Sequence, residues 1–162
     1  PGGLRQDRCQ SWPNPFGDQK DQARRRETAR VNETDASLPK KVLIVDDEPH
    51  IVEVVRVCLE DSGLELMEAA DGEHALDLTR QAHPDLVILD VMIPKMDGYA
   101  VCREIKGDPG TRSIPVILLT AKGQAADIEE GQQAGADSYL TKPFSPLKLL
   151  AEVYRHLSLG IP

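Results

Sequence analysis

From Lys41 onward, apolar runs of roughly four to six residues alternate with segments of helical period about every 20 to 25 residues. A chain patterned this way is suited to few folds other than a parallel sheet built from strand, helix, strand units. The spacing predicts strands at Val42–Val45, Leu64–Ala69, Leu86–Leu89, Val116–Leu119 and Ser138–Leu140. Leu86–Leu89 and Val116–Leu119 are apolar at every position, which suits central strands covered by helices on both faces. Aromatic residues make up only 4% of the chain, so the core must come from Val, Ile, Leu and Ala.

Five helices are expected between and after these strands, at Pro49–Asp61, Gly72–Ala82, Gly98–Lys106, Gln124–Ala134 and Pro146–Leu157. In the first, Ile51, Val54, Val55, Cys58 and Leu59 recur at helical spacing and read as its buried stripe. Pro49 suits a first turn, where no backbone donor is needed, and Gly63 suits a left-handed helix end. In the last helix the stripe reads as Leu147, Leu150, Ala151, Tyr154 and Leu157. The fourth offers only Ala125, Ile128 and Ala134 and should hold the sheet most weakly.

Residues 1–38 differ in kind, with seven basic and six acidic groups and nine hydrophobic residues. They are expected to be a disordered N-terminal segment or linker, because so little apolar surface cannot offset the entropy of ordering. Residues 39–160 are expected to form the folded domain.

In an open parallel sheet, ligands bind outside the carboxyl ends of the strands. Here the first strand runs into Asp46, Asp47 and Glu48, and the third ends in Asp90. The fourth ends in Thr120, and the fifth is followed by Lys142–Pro143. With strand order 2-1-3-4-5, the acids of the first and third strands meet on one rim. Carboxylates held so close need protons or a cation. Mg²⁺ suits an all-oxygen set and keeps sites open for a phosphoryl oxygen, whereas zinc would want His or Cys. Lys142 supplies positive charge opposite and Thr120 a hydroxyl, which together make a phosphoryl-transfer site with a carboxylate acceptor.

Singly, each member has a plainer reading. Asp46–Glu48 could cap the first helix, Thr120 could be an N-cap, Tyr139 an ordinary strand aromatic, and Asp97–Gly98 a turn leading into a helix. Asp90 is harder to dismiss, because an acid ending a Leu-Val-Ile-Leu strand is costly unless the rim uses it.

Three cysteines, Cys9, Cys58 and Cys102, form no CxxC pair, and Cys58 and Cys102 read as small core residues. His50, His74, His83 and His156 lack ligand spacing and read as surface residues. No apolar stretch reaches the roughly 20 residues that cross a bilayer, and the N-terminus has no apolar signal core. A cytoplasmic protein with no membrane partner is expected. With a net charge of −8, no direct nucleic-acid contact is expected either.

The segments VLIVDDE (42–48), DLVILDVMIPKMDG (85–98), PVILLTA (115–121) and GADSYLTKPF (135–144) resemble, in order and spacing, the receiver domain of two-component response regulators. The resemblance covers about residues 41–158. It implies a flavodoxin-like, doubly wound α/β fold with a five-stranded parallel sheet of order 2-1-3-4-5 and five helices. It also implies that Asp90 is the phosphoacceptor. Asp46, Asp47, Asp90 and the main-chain carbonyl of Met92 would then hold Mg²⁺, and Lys142 would pair with the carboxylate or phosphoryl oxygens. Thr120 and Tyr139 align with a switch pair, and the Lys142–Pro143 bond would be cis, making Pro143 a cis-proline. The implied partners are a sensor histidine kinase or phosphotransfer protein and a downstream protein target. Phosphorylation-dependent homodimerisation through the fourth helix, fifth strand and fifth helix is a further implication. Such a domain signals and is not an enzyme beyond assisting its own phosphorylation and autodephosphorylation.

Three rivals stay open. An aspartate-nucleophile phosphatase would resemble a DxD pattern, which Asp90-Val91-Met92 lacks. A nucleotide or flavin binder would want a Gly-rich phosphate loop after Val45, where acids stand instead. A degenerate receiver would serve only as an interaction module.

Overall fold

The computed structural model describes residues 38–121 and 125–159. In chain order the elements are β1 (Lys41–Val45), α1 (Pro49–Leu59) with a 3-10 turn (Glu60–Ser62), β2 (Glu65–Ala69), α2 (Gly72–Ala82) and β3 (Leu86–Asp90). Then come α3 (Gly98–Gly107), β4 (Val116–Thr120), α4 (Ala125–Gln133), β5 (Ser138–Thr141) and α5 (Pro146–Leu157). All five strands pair in parallel, in the order β2-β1-β3-β4-β5. This is the expected flavodoxin-like doubly wound sheet with its five helices. The segment expected to be disordered, residues 1–38, lies outside the described residues except for Leu38, as does Gln124.

Strands β3 and β4 are buried at every position, as continuous apolar runs between two helical layers should be. Alternate strand residues feed two cores. Leu43, Val45, Val87, Leu89, Val116 and Leu118 face one layer with α2 and α3. Val42, Ile44, Leu86, Ile88, Ile117 and Leu119 face the other with α1 and α5. The period-two geometry of a strand makes this division unavoidable.

Two helix stripes are rotated from the expected ones. In α1 the buried residues are Val52, Val55 and Leu59, while Val54 is exposed and Ile51 and Cys58 only pack partly against the core. In α5 they are Leu149, Val153, Tyr154 and Leu157, and Leu147 is 76% exposed. Both helices carry apolar residues on more than one face, so helical period alone leaves the orientation open, and the sheet decides it. Of the expected core cysteines, Cys102 is buried and Cys58 partly so. His156, expected at the surface, is half buried beside Glu152, because α5 turns that face toward β5.

Helix termini follow their capping residues. Asp71 Oδ1 accepts from the His74 amide at 2.8 Å and Asp97 Oδ1 from the Ala100 amide at 2.9 Å, each satisfying an orphan donor of the first turn. Pro49 and Pro146 open α1 and α5. Helix α4 holds the sheet lightly: Ile128 is half buried, and Ala134 just beyond the helix is buried.

Candidate functional site

The last rung between β1 and β3 joins Val45 to Leu89, so Asp46, just past β1, and Asp90, the final residue of β3, stand side by side at the rim. One carboxylate oxygen from each of Asp46, Asp47 and Asp90 lies within 4.8 Å of the others, and among the described residues no other group of His, Cys, Asp or Glu is gathered this way. Asp46 and Asp90 are buried and Asp47 is exposed. Asp46 and Asp47 also line a cleft of about 430 Å³ between α1 and β2, walled by Pro49, Val52, Ala69 and His74. The cluster is thus open to water on one side.

Lys142 reaches the cluster from the far end of β5. Its Nζ lies 2.7 Å from Asp46 Oδ2, 3.3 Å from Asp90 Oδ1 and 3.7 Å from Glu48 Oε1. Asp46 Oδ1 is occupied by the Glu48 amide at 2.9 Å. The backbone fixes where Lys142 stands: its amide donates to the Thr120 carbonyl at 2.7 Å, and the Lys142–Pro143 peptide is cis. Thr120, the final residue of β4, is buried on the same rim. Tyr139 pairs with Leu118 across the β4–β5 ladder and is 43% exposed. Met92, two residues past Asp90, is exposed, and its amide donates to the Asp90 side chain.

Burial raises the Asp90 pKa above the ordinary carboxylate value, and the neighbouring Asp46 charge adds to it, while Lys142 and the Met92 amide oppose. For Lys142 burial works downward, but its hydrogen bond to Asp46 and the charges of Asp46 and Asp90 outweigh it, leaving a raised pKa. One partly buried ammonium therefore faces more negative charge than it balances. A hard divalent cation fits this donor set, which is all oxygen and has an exposed carboxylate at its edge.

Close backbone approach fixes the segment between β3 and α3. The Gly98 amide donates to the Val91 carbonyl at 2.9 Å. A Cβ on Gly98 would lie 2.3 Å from the Asp90 carbonyl oxygen, so only glycine lets α3 start this near the acid. Sequence reading takes Asp97–Gly98 for a turn and helix start, and both hold, but the contact with Asp90 is not visible in a linear pattern.

An open parallel sheet with three carboxylates and a lysine converging at its carboxyl rim defines a class of doubly wound domain with an acidic, cation-suited cleft. A family model described as the response regulator receiver domain matches residues 42–154, and the chain belongs to that family. Among similar proteins are a probable transcriptional regulator, ycf27, of Guillardia theta and the DNA-binding dual master transcriptional regulator RpaA of Synechocystis. The first is 47% identical over 76% of this chain and 48% of its own length. The second is 45% identical over 70% of this chain and 47% of its own length. The chain thus spans about half the length of the curated relatives it matches. Among solved structures, a response regulator from Chloroflexus aurantiacus aligns with TM-score 0.72 and 38% identity over 75% of this chain and 99% of that one. The receiver domain of a Pseudomonas aeruginosa sensor histidine kinase, with a magnesium ion coordinated in its active-site cleft, aligns with TM-score 0.69 and 31% identity over 75% and 99%.

One expectation is overturned by these relatives. The acidic charge was expected to exclude nucleic acid, yet RpaA, which shares this domain, is a DNA-binding regulator. The charge of a domain that fills only about half of such a protein does not restrict what the remainder contacts. Among the described residues no helix is long and apolar enough to cross a membrane.

Proposed function

We propose that this domain is the phosphoacceptor of a cytoplasmic two-component phosphorelay, with Asp90 as the acceptor. The supporting observation is the convergence of Asp46, Asp47 and Asp90 within 4.8 Å, with Lys142 Nζ 3.3 Å from Asp90. A phosphohistidine on a sensor histidine kinase or phosphotransfer protein is the donor. An Asp90 carboxylate oxygen attacks phosphorus, a P–O bond forms as the P–N bond breaks, and the electron pair of that bond returns to the imidazole.

Asp46, Asp47, Asp90 and the Met92 carbonyl would hold Mg²⁺, which, when bound, neutralises charge on the transferring phosphoryl oxygens. Lys142 orients and balances the phosphoryl group from the opposite side. The product carries about −1.5 to −2 charges and three acceptor oxygens where one carboxylate stood. Thr120 answers with its hydroxyl and Tyr139 turns inward, which alters the face formed by α4, β5 and α5. The light anchoring of α4 suits such a change. A downstream protein target, or a second copy in a phosphorylation-dependent homodimer, reads that face. In this reading the domain is a signalling part and not an enzyme, although it assists its own phosphorylation and autodephosphorylation.

Incubation with acetyl phosphate and Mg²⁺ followed by intact-mass measurement tests the reading. The expected result is the gain of one phosphoryl group by the parent and none by Asp90→Asn. No gain in the parent, or equal gain in both, would contradict it.

A further inference from the structure

The chain between Asp90 and Asp97 reads Val-Met-Ile-Pro-Lys-Met, so Lys95 carries its one charged side chain. The loop starts from the sheet, where the Val91 amide donates to the Leu119 carbonyl of β4 at 3.0 Å, and the Gly98–Val91 hydrogen bond ties its two ends together. Its tip lies against the first turn of α2. The Pro94 carbonyl accepts from the Gly72 amide at 3.3 Å and from the Met96 amide at 2.8 Å. A Cβ on Gly72 would come within 2.7 Å of the Met96 carbonyl oxygen, so loop and helix touch backbone to backbone.

Lys95 itself has φ of +66°, in the left-handed region that L side chains rarely adopt. Glycine or asparagine would sit there more easily. What lysine adds is reach. Its Nζ lies 2.9 Å from Asp71 Oδ2 and 3.6 Å from Glu73 Oε2. Asp71 uses its other oxygen to cap α2, so one carboxylate joins the loop tip to the helix start.

We propose that Lys95 is a positioning residue for the acidic cleft, its ion pairs with Asp71 and Glu73 setting the loop whose Met92 amide holds the Asp90 side chain. The inference rests on the reading of the cleft as a Mg²⁺-dependent phosphoacceptor site, which it deepens. Lys95 touches neither cation nor phosphoryl group and acts through the backbone three residues away. Exposed ion pairs contribute little each, so the effect should be a modest, salt-sensitive change in cation affinity.

The test is Mg²⁺ titration by calorimetry, without phosphodonor, together with amide hydrogen exchange at Met92 and Met96. Lys95→Asn suits the left-handed backbone and cannot reach Asp71. Asp71→Asn keeps a capping oxygen while losing the charge, so it serves if the first variant folds poorly. Each is expected to weaken Mg²⁺ binding about two- to five-fold at low salt, to speed exchange in the loop, and to lose the difference at high salt. Lys95→Arg should restore affinity. Parent-like affinity and exchange in both Asn variants would overturn the inference and leave the phosphoacceptor reading standing. A parent that binds no Mg²⁺ would overturn both.

Discussion

Lys142 Nζ sits 2.7 Å from Asp46 Oδ2, a contact between residues 96 positions apart, with the lysine side chain 13% exposed and the aspartate side chain fully buried. The same ammonium is the nearest cation to Asp90 among the described contacts. Removing it leaves two buried carboxylates facing each other. Lys142→Met is therefore expected to lower stability by about 3 kcal/mol in metal-free buffer, the cost of stripping one partner from a buried pair. Urea unfolding measures this. Added Mg²⁺ should recover more stability in the variant than it adds to the parent, since it replaces the missing charge.

Asp90→Asn should act in the opposite direction. The Asp90 pKa is raised by burial and by Asp46, so the folded chain keeps that proton to higher pH than the unfolded chain does. Its contribution is complete below the unfolded carboxylate range and is lost as pH rises through the folded value. At neutral pH without metal, the Asn variant is expected to be more stable than the parent. Unfolding followed from neutral pH downward should show the gap closing as the parent carboxyl protonates.

Gly98→Ala would drive a methyl group into the Asp90 carbonyl, at 2.3 Å, and the Val91 Cα, at 2.7 Å. Backbone cannot yield as a flexible side chain can. A loss of about 3 kcal/mol, at the upper end of overpacking costs, is expected in chemical unfolding. The displacement falls on the Asp90 backbone, so the surviving folded protein should also take up phosphoryl groups more slowly.

Cys102 offers a check on the core. Burial pushes its thiol up to about 11, and its Sγ lies 3.4 Å from the Ala134 carbonyl oxygen beside α4. At pH 8 the thiolate that alkylates is scarce and shielded. The peptide carrying Cys102 should stay unmodified by iodoacetamide in native buffer and label fully in denaturant. Rapid native labelling would mean that the packing under α4 opens readily.

The strands are legible in the sequence because Leu86–Leu89 and Val116–Leu119 have no polar side to present, and a continuous apolar run at that length has few other uses. Their ends are less so. The apolar runs Leu86–Leu89 and Val116–Leu119 stop one residue short of β3 and β4, whose polar ends Asp90 and Thr120 close ladder rungs with Leu119 and Thr141, because a polar residue can complete backbone pairing while its side chain points off the rim. In α1, Val52, Val54, Val55 and Val57 give several equally apolar stripes, and only the sheet chooses the one through Val52 and Val55. The acids and lysine of the cleft could be read because each lies at or just past the carboxyl end of a strand. The Lys95–Asp71 pair and the fit of Gly98 on Asp90 could not, since both depend on how one loop folds back.

The most direct measurement locates the phosphoryl group itself. After reaction with acetyl phosphate and Mg²⁺, borohydride reduces an aspartyl phosphate to homoserine, and peptide mass mapping finds the altered residue. Homoserine at position 90 alone is the expected result. Homoserine at 46 or 47, or none at any aspartate, would contradict the assignment of Asp90 as acceptor.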